Sequence, residues 1–100
     1  MLESQYQSKL ISKLKEMFPN AVILKTDPTY IQGFPDILVL EGERWAALEC
    51  KRCSNSSHRP NQDYYVDLVN SQGGFARFIY PENEDTVLKE MIEEVFYDLV

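Results

Sequence analysis

Residues 32–51 read QGFPDILVLEGERWAALECK, and the fold turns on how that stretch pairs with itself. Ile37-Leu38-Val39-Leu40 is an unbroken apolar run of the kind buried on both faces of a sheet. Glu41-Gly42-Glu43 supplies a glycine for a tight connection, and Trp45-Ala46-Ala47-Leu48 returns as a second strand. Together they predict a hairpin. With Gly42 near its turn, the start of the first strand lies opposite the end of the second, and Asp36 falls close to Glu49.

On the N-terminal side, Tyr6, Leu10, Ile11, Leu14, Met17 and Phe18 recur at the spacing of one helical face, and Pro19-Asn20 ends that helix. Ala21 to Lys25 predicts a short strand, followed by turn chemistry at Thr26-Asp27-Pro28-Thr29. Beyond the hairpin, residues 52–60 (RCSNSSHRP) predict a loop, and a helix opens near Pro60 or Asn61. Its apolar face carries Tyr65, Val66, Leu68 and Val69, and Gly73-Gly74 stops it. Phe75 to Tyr80 has strand composition, and Pro81 and Asn83 introduce a last helix with Leu88, Met91, Ile92, Val95 and Leu99 on one side. The predicted order is α-β-β-β-α-β-α, an α/β fold in a single domain spanning 1–100.

Composition agrees with a folded chain: of the 100 residues, 44% are apolar and 26% charged. No apolar run reaches the roughly 18 to 20 residues of a membrane-spanning helix, and no basic segment followed by an apolar core opens the chain. A soluble, cytoplasmic protein without a membrane partner is the expectation. The net charge of -6 is unevenly spread. Residues 1–81 hold nine acids and nine bases, so the excess lies wholly in 82–100, where seven acids face only Lys89. An acidic outer face on the last helix accounts for the charge without making the remaining surface repel DNA.

Several polar residues stand where apolar ones belong. On a helical wheel Glu3 falls about 20° from Leu10 and Leu14, and Gln62 lies about 20° from Val69, so both helices begin with an inward polar group. In Glu49-Cys50-Lys51 the two-residue period puts an acid and a base on one face. With Asp36 across the hairpin, four charged groups and a glutamine are expected to converge at one end of the sheet. Carboxylates clustered at a buried edge repel and persist only beside a balancing cation. Carboxylate and water ligands suit Mg²⁺ or Mn²⁺, and the lack of a His or Cys cluster argues against zinc. Taken singly, each residue has a plainer reading: Glu3 complements a helix dipole, Asp36 caps the Gly33-Pro35 turn, and Glu49 and Lys51 lie on a solvated face.

Gly33-Phe34-Pro35-Asp36 on one strand, Glu49-Cys50-Lys51 on the next, Glu3 in the preceding helix and Gln62 in the following one resemble the PD-(D/E)XK nuclease superfamily. The likeness is to its VRR-NUC branch, whose small stand-alone members occur in phages and are similar to Holliday junction resolvases. It runs from about Glu3 to Tyr80. The resemblance implies a restriction-endonuclease-like core, αβββαβ, with a mixed central sheet flanked by helices and a C-terminal helix outside the matched region. It implies a Mg²⁺-dependent endodeoxyribonuclease, with Mn²⁺ able to substitute, that hydrolyses phosphodiesters of branched DNA such as Holliday junctions. Metal ligands would be Glu3, Asp36, Glu49 and the main-chain carbonyl of Cys50. Lys51 would position or polarise the attacking water, and Gln62 would support the site. Small members of the branch act as homodimers, in the host cytoplasm if phage-encoded. Substrate choice would rest on dimer geometry and on Lys25, Arg52, His58 and Arg59 gripping phosphates.

Cys50 and Cys53 fit C-x-x-C, but Cys50 falls inside a predicted strand, so reduced thiols without a redox or zinc role are expected. Two readings compete with the nuclease: a non-catalytic nucleic-acid-binding module on the same fold, and an acidic protein-interaction module.

Overall fold

Gly42 makes the turn the hairpin needs. The structure, a computed structural model, describes residues 1–99; strands β1 (Val22–Lys25), β2 (Ile37–Glu41) and β3 (Arg44–Cys50) form a meander in which Gly42-Glu43 joins the last two. Gly42 has a φ of 64° and Glu43 does not share its sign, the pattern of a type II′ turn, whose twist matches that of the strands. Ile37 lies opposite Leu48 and Glu41 opposite Arg44, a register that sets Asp36 opposite Glu49 as the sequence requires. A fourth strand, β4 (Ala76–Ile79), joins β3 in parallel with Phe78 opposite Glu49. Parallel pairing needs a crossover, and helix α2 (Pro60–Ser71) provides it. With α1 (Glu3–Met17) and α3 (Glu84–Glu94) the order is α-β-β-β-α-β-α, as predicted, around a mixed sheet ordered β1-β2-β3-β4.

The two-residue period of β2 and β3 feeds two cores. Ile37, Val39, Ala46, Leu48 and Cys50 face α1 and α3, where Tyr6, Leu10, Leu14, Leu88 and Met91 close over them. Ala47 and Ala76 face Val66 and Val69 of α2, with Phe34, Leu38 and Phe78 around the margin. Helices thus cover both faces, but unequally. Leu38 and Leu40 are half-buried instead of enclosed, because α2 sits over β3 and β4. Val22 and Leu24, opposite Leu40 and Leu38, are exposed at 55% and 46%.

The acidic α3 is part of the fold. Val87, Leu88 and Met91 are buried, and beyond the helix end Phe96 is fully enclosed with its ring 5.1 Å from that of Phe18. Leu99, expected on the apolar side, is 41% exposed because the helix stops at Glu94. Glu84 accepts hydrogen bonds from the Tyr6 hydroxyl (2.9 Å) and Lys13 Nζ (2.7 Å), so one of the helix's acids ties it to α1. Among the described residues no helix is long and apolar enough to cross a membrane.

Candidate active site

Asp36, Glu49, Lys51 and Gln62 meet where the sheet face covered by α2 runs out. Backbone pairing carries Asp36 and Lys51 one residue past their strands: the Thr26 N–H donates to the Asp36 carbonyl and the Lys51 N–H to the Ile79 carbonyl, each at 2.8 Å. Asp36 accepts from the Cys50 N–H through Oδ2 at 2.9 Å, which locks its carboxylate across the hairpin against Glu49. Gln62 lies in the first turn of α2. Its Oε1 accepts from Lys51 Nζ (2.7 Å) and the Arg59 N–H (3.0 Å), while Nε2 donates to Glu49 Oε2 (3.3 Å). One amide therefore caps the helix and holds the acid and the base apart at fixed positions.

Glu49 is 2% exposed and Lys51 5%, which is rare for charged residues unless they are paired. Burial pushes the Glu49 carboxyl up to about 9, reinforced by the Asp36 charge and a hydrogen bond with Asp36, against an opposing pull from Lys51. The Glu49 carboxyl is therefore held in its neutral form at neutral pH, beside Asp36. The same surroundings raise the Cys50 thiol, burial foremost, so this cysteine is inert packing. Cys50 and Cys53 are both free thiols.

Above the pair opens a cavity of about 360 Å³ whose lining includes Gly33, Asp36, Glu49, Arg59, Asn61 and Gln62. Gly33 has a φ of 87°, and a Cβ there would lie 2.6 Å from Asn61 Cγ, so only glycine lets the loop before β2 approach α2 this closely. Asn61 secures the contact by donating from Nδ2 to the Gln32 carbonyl at 3.0 Å. The cavity thus combines two carboxylates on its floor with the positive end of a helix and Arg59 in its wall, a setting able to hold a cation and an anion side by side.

No family model, curated protein or solved structure matches the chain. Asp36 and Glu49 are a hard-oxygen pair that burial and mutual repulsion leave with Glu49 protonated, and a divalent cation in place of that proton would relieve the repulsion, so the two carboxylates fit Mg²⁺ or Mn²⁺. Among the described residues no three His, Cys, Asp or Glu side chains are grouped to hold a metal.

Glu3 stands apart from this pair. The wheel pointed it inward, but it is exposed at the first position of α1 and lines a separate cavity of about 340 Å³ with Arg52, Ser56 and Ser57. It reaches Glu49 only as a weak field, the least of the influences on that carboxyl. The inward polar residue of α1 is instead Gln7, one turn on and 9% exposed. Arg59 lines the cavity above Asp36 and Glu49, whereas Lys25 is exposed at the end of β1 and Arg52 in the loop after β3, both outside that lining. His58 stacks on Phe78 with ring centroids 3.9 Å apart and places Nδ1 3.1 Å from Asp63, an arrangement that fixes its ring. Asn61 went unread in the sequence; its place beside Gln62 in the first turn of α2 was the available signal.

Proposed function

We propose that this chain is a metal-dependent endonuclease of the PD-(D/E)XK type, hydrolysing phosphodiester bonds of branched DNA, and acting as a homodimer in the cytoplasm. The observation carrying this reading is the pairing of the Asp36 and Glu49 carboxylates in the lining of an open cavity, with Gln62 tying Glu49 to the buried Lys51. A structural ion pair would have set Lys51 directly on Glu49. Here Gln62 keeps the ammonium off the acids, leaving both carboxylates available for a cation.

In this reading Asp36, Glu49 and the Cys50 carbonyl would hold Mg²⁺, which would supply acidification of water to near neutral pH and charge neutralisation at phosphorus. Gln62 sets the position of Lys51 Nζ, and Lys51 orients the attacking water. Arg59 and the α2 N-terminus receive the phosphate. Separate placement of Glu3 favours one alternative, a module that binds nucleic acid without cutting it. The test is incubation of purified protein with Mg²⁺ or Mn²⁺ and a panel of linear, flap, splayed and four-way DNAs. Cleavage with 5′-phosphate and 3′-hydroxyl ends, absent in Asp36→Asn, is expected; binding without cutting of any substrate favours the alternative.

A further inference from the structure

The loop between β1 and β2 leaves a second opening beside the first. We propose that this loop takes up one unpaired nucleobase next to the phosphate being cut, an inference that rests on the nuclease reading above and names the feature of DNA it selects.

The opening measures about 380 Å³ and is lined by Thr26, Asp27, Tyr30, Ile31 and Phe34. Thr26 and one oxygen of Asp27 are already engaged. Thr26 Oγ1 donates to the Pro35 carbonyl at 2.9 Å, and Asp27 Oδ1 accepts from both the N–H and the hydroxyl of Thr29, at 2.9 and 2.7 Å. What remains to meet a ligand is two aromatic rings, an isoleucine, the Tyr30 hydroxyl and the second Asp27 oxygen. The Asp27 carboxylate repels a phosphate, whereas a flat, uncharged ring can stack on the two aromatic rings whatever its identity. Tyr30 is 86% exposed and Ile31 39%, so both side chains are open to a ligand.

Continuity with the site fixes the occupant. Phe34 lines both this opening and the active-site cavity. Its ring is braced edge-on by Tyr65 of α2 at 5.7 Å, and Tyr64, 58% exposed, follows at 5.1 Å from Tyr65. A strand whose phosphate lies over Asp36 and Glu49 would therefore carry an adjacent base past Phe34 to Tyr30. A base held in a duplex must unstack to make that move, and one already unpaired at a branch or flap need not. Selection of branched DNA then follows from this loop, without reading of sequence.

The experiment uses the full chain carrying Asp36→Asn, so that DNA binds without being cut, with and without Tyr30→Ala. DNAs carry 2-aminopurine at successive unpaired positions around a flap. A change in emission at one position is expected, removed by Tyr30→Ala, which weakens binding to the flap by about tenfold and to plain duplex not at all. Unchanged emission at every position, or equal weakening on duplex, overturns the proposal. So does a change in sedimentation on Tyr30→Ala alone, which assigns the patch to contact between copies of the chain. Cleavage by the wild type with no emission change overturns the base subsite and leaves the nuclease reading intact. An emission change that Tyr30→Ala removes, with no cleavage of any DNA, upholds the base site and overturns the nuclease.

Discussion

Replacing Glu49 by glutamine should make the metal-free protein more stable above neutral pH while removing its response to Mg²⁺. Glu49 is 2% exposed, and burial together with Asp36 lifts its carboxyl from an ordinary 4.5 to about 9. Because the folded value is the higher, the folded state holds a proton that the unfolded chain has released at any pH between the two. Stability therefore falls as pH rises through that window, with the full loss present above about 9 and none below 4.5. Each pH unit is worth about 1.4 kcal/mol, so going from pH 6 to pH 8 costs wild type on the order of 2 to 3 kcal/mol that Glu49→Gln does not lose. A cation that takes the proton's place stabilises the folded state by about 2.7 kcal/mol at a concentration one hundred times its Kd. Urea unfolding at pH 6, 7 and 8, in EDTA or in Mg²⁺, separates the two effects. The reasoning is refuted if both proteins lose stability with pH at the same slope in EDTA, or gain equally from Mg²⁺.

Gly33→Ala should destabilise by roughly 1–3 kcal/mol, since the new methyl meets Asn61 and the φ of 87° is strained for alanine; a shift under 0.5 kcal/mol in urea midpoint would contradict the packing described. Gln62→Ala should weaken Mn²⁺ binding by about 10- to 100-fold through loss of the partner that orients Glu49, and unchanged affinity in a calorimetric titration would remove Gln62 from the site. Arg59→Ala should lower the slope of log K against log salt for DNA binding by about one, as for the loss of a single phosphate contact, with the same change for every sequence tested. Phe96→Ala should cost about 3–5 kcal/mol because its ring is fully enclosed against Phe18. A chain ending near Glu82 should for the same reason fail to show a cooperative thermal transition.

The element order and the Asp36–Glu49 pairing were legible because both rest on local rules. Gly42 marks the turn, the turn sets the register, and the register sets which residues face each other. Gln62 was legible because a polar residue at the start of an apolar stripe still obeys helical periodicity. Glu3 obeyed the same periodicity and yet points to solvent. A wheel gives direction around a helix axis and says nothing of how far along it the sheet extends, and α1 reaches its first buried residue only at Tyr6. Phe96 escaped for the opposite reason, since it lies past Glu94, where helical spacing no longer applies. The half-exposure of Leu38 and Leu40 depends on where α2 rests across the sheet, which no single segment encodes. His58 was expected to grip phosphate, and its stacking on Phe78 beside Asp63 was not legible because those partners come together only through the crossover.

The central claim is that Asp36 and Glu49 are folded against each other to receive a divalent cation. A calorimetric titration of Mn²⁺ into wild type and Asp36→Asn, repeated near pH 7.5 in buffers of different ionisation heat, tests it most directly. The account predicts saturable binding that releases a proton in wild type and at least tenfold weaker binding in the variant. Binding absent from wild type, or equal in both proteins, would contradict it.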